Sequence, residues 1–182
     1  LARQYILEGG TKFFNNNGEY NGVREGFTTG NDNVALGINA LKLNTTGSTN
    51  VAAGRDALVS NTTAGNNIGV GSYSLKSTTT GSNNIGIGQG ALCTNVTGIK
   101  NIAIGTEALR YNTGSNNTAI GYVALDANTS ASSNTAVGES SLGANTTGAS
   151  NVAVGHGALT TNTTASNNAA VGTNALKSNT TG

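Results

Sequence analysis

The sequence predicts an all-β fold, a β-solenoid of the parallel β-roll type, and three observations lead to this prediction. A unit of 17 residues recurs nine times, each unit contains a short segment in which large apolar and small residues alternate, and Asn, Gly and Thr fill the connecting segments. Helix-pair repeats need more than about 30 residues, so a 17-residue period is too short for them. We therefore predict a nine-coil solenoid over residues 30–182, preceded by a non-repeat segment, 1–29.

One Gly anchors each unit. These glycines are 17 residues apart except between Gly105 and Gly121, where the interval is 16 because a residue is missing after Tyr111. The residue four positions before each Gly is an Asn: Asn33, Asn50, Asn67, Asn84, Asn101, Asn117, Asn134, Asn151 and Asn168. The residue four positions after it is a Leu: Leu41, Leu58, Leu75, Leu92, Leu109, Leu125, Leu142, Leu159 and Leu176. We interpret the Asn positions as a hydrogen-bonded ladder along the stack and the Leu positions as core.

The strand of each coil is predicted from alternation. Residues 101–105 read Asn-Ile-Ala-Ile-Gly, which is the period-two pattern of a strand. The central residue is always Ala or Gly, and so bare a face predicts that another backbone, from the same coil or a neighbouring subunit, approaches it closely. A second segment, Ala108 and Leu109, fits a short strand or a single helical turn, and we prefer the strand. The two residues after each Gly vary between copies, so we expect them to face solvent.

Composition and inventory narrow the function. The chain has 27 Gly and no Pro, Trp or Met. Its nine Lys and Arg are nearly balanced by eight Asp and Glu, so it lacks the basic face of a nucleic-acid-binding protein. The chain contains no run of about 18 apolar residues, so the sequence does not predict a membrane span. The single His156 and the single Cys93 cannot together form a metal site or a Cys–His pair, and the acidic residues do not recur at one offset. We expect no enzyme, no metal and no cofactor.

The thin apolar content of each coil predicts self-association, with a homotrimer as the natural symmetric solution. All three Phe of the chain lie in 1–29, which we expect to cap the first coil. The same segment could instead dock on the last coil of the next subunit and build a head-to-tail filament, with Tyr5, Ile6 and Leu7 as a candidate strand and Phe13 and Phe14 as anchors.

Sequons for N-linked glycosylation recur at one corner of successive coils, at Asn44, Asn61, Asn95, Asn128, Asn145, Asn162 and Asn179, and one more lies elsewhere, at Asn116. Stacked corners would present a line of glycan acceptors. Asn-Thr-Thr is also good turn chemistry, and we favour that interpretation.

The runs NIAIGTEAL, NTAIGYVAL and NVAVGHGAL resemble repeats of phage and giant-virus tail-fibre proteins, and they are similar to the shorter repeats of trimeric autotransporter adhesin heads. The resemblance implies a left-handed parallel β-roll, trimeric assembly, and a fibre or adhesive role outside the cell or on a virion or cell surface. We therefore expect a structural subunit of an extracellular fibre whose main partner is itself. The alternatives are a trimeric tail-fibre or adhesin fragment that binds a surface glycan and, less favoured, an ice-binding solenoid with a row of Thr.

Overall fold

The computed structural model describes residues 30–181 and confirms the predicted β-solenoid. Nine strands of three residues each follow one another along the stack: β1 (Val34–Leu36), β2 (Val51–Ala53), β3 (Ile68–Val70), β4 (Ile85–Ile87), β5 (Ile102–Ile104), β6 (Thr118–Ile120), β7 (Thr135–Val137), β8 (Val152–Val154) and β9 (Ala169–Val171). They form one parallel sheet in the order β1 to β9. The segments between them are turns and bends, and residues 30–181 contain no helix.

Each strand pairs with the equivalent residues of the next coil. Ala103 of β5 lies opposite Ala119 of β6, although the coil that separates them is one residue short. The shortening is absorbed at one corner, where the Asn112 amide nitrogen reaches Gly114 O two residues on, whereas the matching Asn95 reaches Gly98 O three residues on. The register of the sheet is therefore the same on both sides of the missing residue.

The small central residue of each strand points into the coil, and the larger apolar residues on either side point out. In β5, Ala103 is buried, whereas Ile104 is 37% exposed. The interior is narrow: a Cβ added to Gly69, the central residue of β3, would lie 3.4 Å from Leu58 Cγ. The backbone that approaches these small central residues belongs to the turn segment of the chain's own coils: a Cβ added to Gly86 would lie 3.2 Å from Ala91 O.

The leucine row, defined as the nine Leu predicted as core, lies in turns and not in a second strand. Leu109 has a φ of 52° and Glu107 a φ of 59°, values that an extended strand does not contain. Ala108 N–H donates to Gly105 O at 3.3 Å, and Asn112 N–H donates to Leu109 O at 3.2 Å, so successive tight turns carry the Leu side chain inward. The preferred assignment of Ala108 and Leu109 to a strand is therefore wrong. The first eight leucines are buried, but Leu176 in the last coil is 51% exposed.

The Gly that anchors each of the first eight repeats sits where neighbouring coils approach closely. Gly138 has a φ of 129°, a region that L side chains rarely adopt, and a Cβ placed on it would lie 2.6 Å from both C and O of Gly155 in the next coil. Two independent reasons therefore exclude a side chain: the backbone conformation and the coil stacked above.

Replacing these glycines separates the two reasons. We expect Gly138→Ala to lower the free energy of unfolding by about 3 kcal/mol or more, because strain at positive φ adds to a clash with backbone atoms. Gly172→Ala is the matched control, since Gly172 has a φ of 124° but only Ala175 Cβ, at 4.0 Å, near the added atom. It should lose only the backbone strain, about 1–3 kcal/mol, without the added clash. Urea unfolding followed by circular dichroism measures both losses, and equal losses would contradict the stacking argument.

Candidate functional site

The first asparagine row consists of the nine Asn that stand four residues before the anchoring Gly. Asn101 shows its geometry: the backbone N–H donates to Asn84 Oδ1 at 3.0 Å, and the side-chain Nδ2 donates to Gly114 O at 2.9 Å. The first bond joins two coils, and the second ties the start of a coil to its end. From Asn50 to Asn151 the members of this row are fully buried. Each amide thus replaces water as the partner of otherwise unpaired backbone groups.

A second asparagine row lies at the corner that carries the repeated sequons. Asn145 Nδ2 donates to Asn128 Oδ1 in the preceding coil at 3.1 Å and to Gly148 O at 2.9 Å. The same pair of contacts recurs at Asn61 and Asn162. The row closes the corner turn of each coil and connects the corners along the stack.

The burial of this second row bears on the alternative of a glycan-bearing corner, which stood beside the favoured turn interpretation. Six of the seven corner sequon residues are buried, namely Asn44, Asn61, Asn95, Asn128, Asn145 and Asn162, and Asn179 in the last coil is half-buried. A buried amide that donates to a carbonyl inside the coil cannot carry a glycan without opening the turn. The geometry at these six positions therefore supports turn chemistry as the role of these Asn residues.

The second row is interrupted at two places, and each interruption leaves one buried acceptor unpaired. In the third coil Thr78 occupies the Asn position, and Asn61 Oδ1, which would accept from that Asn, has no hydrogen-bond partner. In the shortened fifth coil Asn112 Nδ2 donates to Gly114 O, and Asn95 Oδ1 in the coil before it also has no partner. Buried unpaired acceptors cost about 1–3 kcal/mol each.

The threonines after the second asparagine row take part in stacking as well. Thr129 Oγ1 donates to Thr146 O at 3.1 Å, and Thr146 Oγ1 donates to Thr163 O at 3.0 Å. Val96 interrupts this row in the fourth coil. The hydroxyl protons of this row point along the stack, so this row of Thr does not present free donors to water.

Charged and aromatic side chains lie on the turn side of the coils. Tyr73 is flanked by Arg55 and Lys76, whose charged groups lie 5.9 Å and 5.2 Å from the ring centre. Arg110 contacts Glu107 at 2.8 Å. These are partly exposed pairs, which contribute little to stability.

The residues that could carry chemistry are dispersed. His156 is exposed, and burial raises the pKa of the half-buried Cys93 thiol, which disfavours the reactive thiolate. Over residues 30–181 no group of three or more His, Cys, Asp and Glu is placed to hold a metal ion. No helix able to cross a membrane occurs in that same range. The predicted assembly residues Tyr5, Ile6, Leu7, Phe13 and Phe14 lie outside the described part of the chain.

The outer strand face, defined as the first and third residues of the nine strands, is a feature whose direction the sequence pattern left open. It consists of Val, Ile, Leu, Ala and two Thr, without a charged residue in eighteen positions. Ile87, Ile104 and Ile120 are each 37–38% exposed. A sequence signal for this face exists: these rows stay uncharged in every copy, whereas the rows after the anchoring Gly vary freely.

Comparisons of the chain with protein-family models, curated proteins and solved structures returned no match. The geometry of the rows is therefore the basis for the functional argument.

Restoring the interrupted asparagine row should stabilise the solenoid. In Thr78→Asn, the new Nδ2 can donate to Asn61 Oδ1, as Asn61 Nδ2 donates to Asn44 Oδ1 at 2.7 Å. We expect a gain of about 1 kcal/mol in the free energy of unfolding, after loss of the Thr78 hydroxyl bond to Asn95 O. Thr80→Asn, at an exposed position of the same corner, is the control. The explanation fails if thermal unfolding shows no larger gain for Thr78→Asn than for Thr80→Asn.

Asp126 should make stability depend on pH in a defined direction. Burial, opposed by backbone hydrogen bonds and reinforced by Glu107, raises the pKa of this carboxyl above its ordinary value of 3.8. The stability associated with the protonated carboxyl is thus fully present below that value and is lost as the pH rises through the raised pKa.

We therefore expect Asp126→Asn to unfold at a higher temperature than the wild type at neutral pH, with the difference vanishing near about pH 3, where the native carboxyl is protonated. Thermal melts across this range measure it, with Glu139→Gln at an exposed position as the control. A difference that persists unchanged at acid pH would show that the carboxyl's charge is not the cause.

Proposed function

We propose that this chain is a structural subunit of an extracellular fibre, in which coils stack both within and between copies. The observation that carries the proposal is the use made of the interior. Apart from Ser74, Thr78 and Ser141, the fully buried polar side chains in residues 30–181 belong to the two asparagine rows, and these rows hold coil to coil. Buried polar groups at a catalytic or ligand site are instead directed at a substrate pocket.

The contacts between coils suit a rod under axial load. The fifth and sixth coils, for example, are joined by Ile102 N–H donating to Asn117 O at 2.8 Å and by Gly121 N–H donating to Ile104 O at 2.8 Å. Further bonds through the turns and the asparagine rows act in parallel with these. Nine coils at about 4.8 Å each give a rod about 43 Å long.

The repeat also makes stacking between chains geometrically equivalent to stacking within one. Every coil presents the same hydrogen-bonding groups on its upper side, and these pair with the matching groups on the lower side of the next coil. Leu159 is fully buried because the ninth coil covers it, whereas Leu176 in that ninth coil is 51% exposed. A coil stacked on Leu176 would bury it as each lower leucine is buried, and a coil of another copy has the geometry to do so.

The extracellular assignment rests on the resemblance of the repeats to those of tail-fibre proteins and adhesin heads. Self-association, without nucleic acid or a membrane as partner, fits the near balance of nine basic and eight acidic residues in the sequence. Residues 1–29 supply the candidate joint between successive rods.

Electron microscopy and X-ray fibre diffraction of the purified full chain at neutral pH test this function. We expect fibres with a meridional reflection near about 4.8 Å and an axial repeat of about 43 Å plus the length of the joint. A matched sample of the Gly138→Ala variant, whose coils cannot stack regularly, should form few or no fibres. Discrete particles of the wild-type chain at every concentration examined would overturn the proposal.

A further inference from the structure

The outer strand face is a continuous apolar surface along the solenoid. The strands are in register, so equivalent side chains form two straight rows that run the length of the stack. Ile87, Ile104 and Ile120 follow one another in one of these rows, each 37–38% exposed. Extended apolar patches on proteins mark interaction surfaces far more often than isolated apolar residues do.

Apolar composition separates this face from the other outer rows. The outer strand face has no charged residue, whereas the turn side of the same coils carries both signs, including Arg55, Glu107 and Arg110. Other outer rows also lack charge, such as the row that contains Thr45 and Thr62, but their residues are mostly polar. The two outer rows of the strands are instead apolar at sixteen of eighteen positions.

We propose that the outer strand face is the lateral interface between copies of this chain, packed against the same face of another copy. The inference rests on the proposed structural role and adds to it the surface and the partner. It concerns contact side by side, which is separate from the stacking of coils end to end.

The size of the face is sufficient for such a contact. Three residues of strand are about 10 Å wide and nine strands span about 43 Å, so the projected area is about 430 Å² per copy, or about 860 Å² for a pair. Accessible area exceeds this projection because the Ile and Val side chains stand out from the sheet. The pair therefore reaches the roughly 1,000 Å² expected of a specific interface.

The period of the face identifies a second copy as the partner. Its side chains form ridges repeated once per coil, and only a surface with the same rise can fit its own ridges between them over nine coils. Another copy of this chain has that rise by construction. A partner without it would fall out of register after a few strands and leave gaps, which weakens dispersion contacts steeply.

Charge substitutions on the face test the interface. We expect sedimentation of the wild-type full chain to give a multiple of 18.0 kDa. The double variant Ile87→Lys with Ile104→Lys should weaken this association at least tenfold, and Ile87→Thr with Ile104→Thr, which keeps a β-branched residue at both sites, should weaken it less. Circular dichroism checks that each variant keeps the solenoid fold.

The matched control places the same two charges on the same two coils, at the exposed positions Gln89→Lys and Thr106→Lys on the turn side. It should associate as the wild type does. A wild-type mass of one chain at all concentrations would overturn the interface, including the case in which residues 1–29 cover the face. An equal loss of association in the control variant would overturn it as well. If fibres form, mass per unit length decides: fibres one chain wide uphold end-to-end stacking and overturn the lateral interface.

Failure of the fibre role has a different signature. Short rods of two or more chains that dissociate in the Lys variant, without end-to-end growth, overturn the fibre role and uphold the lateral interface.

Discussion

The vertical stacking of equivalent backbone atoms is the constraint on which the rest of this structure depends. Each coil lies one strand spacing, about 4.8 Å, above the last, so every residue meets its own counterpart in the next coil. A position tolerates only residues that fit beside a copy of themselves. Gly138 beneath Gly155 shows a strict case, because an added Cβ would lie 2.6 Å from backbone atoms and the backbone has a positive φ. The 17-residue repeat is the sequence record of this condition.

The same constraint makes the interior narrow and largely polar. One Leu per coil, with the small central residue of the strand, fills the apolar part, and two Asn side chains fill the rest. Apolar burial per coil is therefore small, and cohesion depends on hydrogen bonds repeated from coil to coil. This explains why Leu is retained at a φ near 50°, where it costs about 1–3 kcal/mol of strain, since this geometry alone brings its side chain inside. It also explains why a single Thr in an Asn row leaves a measurable defect.

Much of the fold follows from the sequence alone: the number of coils, their parallel order, the strand in each unit and the place of the missing residue. The direction of the strand side chains does not follow, because alternation in Ile102, Ala103 and Ile104 shows two faces without showing which is inside. The usual preference puts Ile inside, but the coil leaves room only for Ala or Gly against the Leu. The turn at Leu109 also has no local signal, because positive φ is ordinarily the property of Gly and Asn. Stacking overrides local preference at both sites.

Comparison of rows within the chain adds one more step, because nine copies of the repeat have accumulated changes at different rates by position. The row immediately after the anchoring Gly contains Ile38, Arg55, Glu139 and other unrelated residues, so an outward position by itself imposes no residue type. Strand propensity favours Val and Ile on the outer strand face, but it also allows Thr and Tyr. Thr occurs there only twice, and Tyr does not occur there. Propensity therefore accounts for the β-branched side chains and not for the apolar character of sixteen of the eighteen positions, which is what the proposed lateral interface requires.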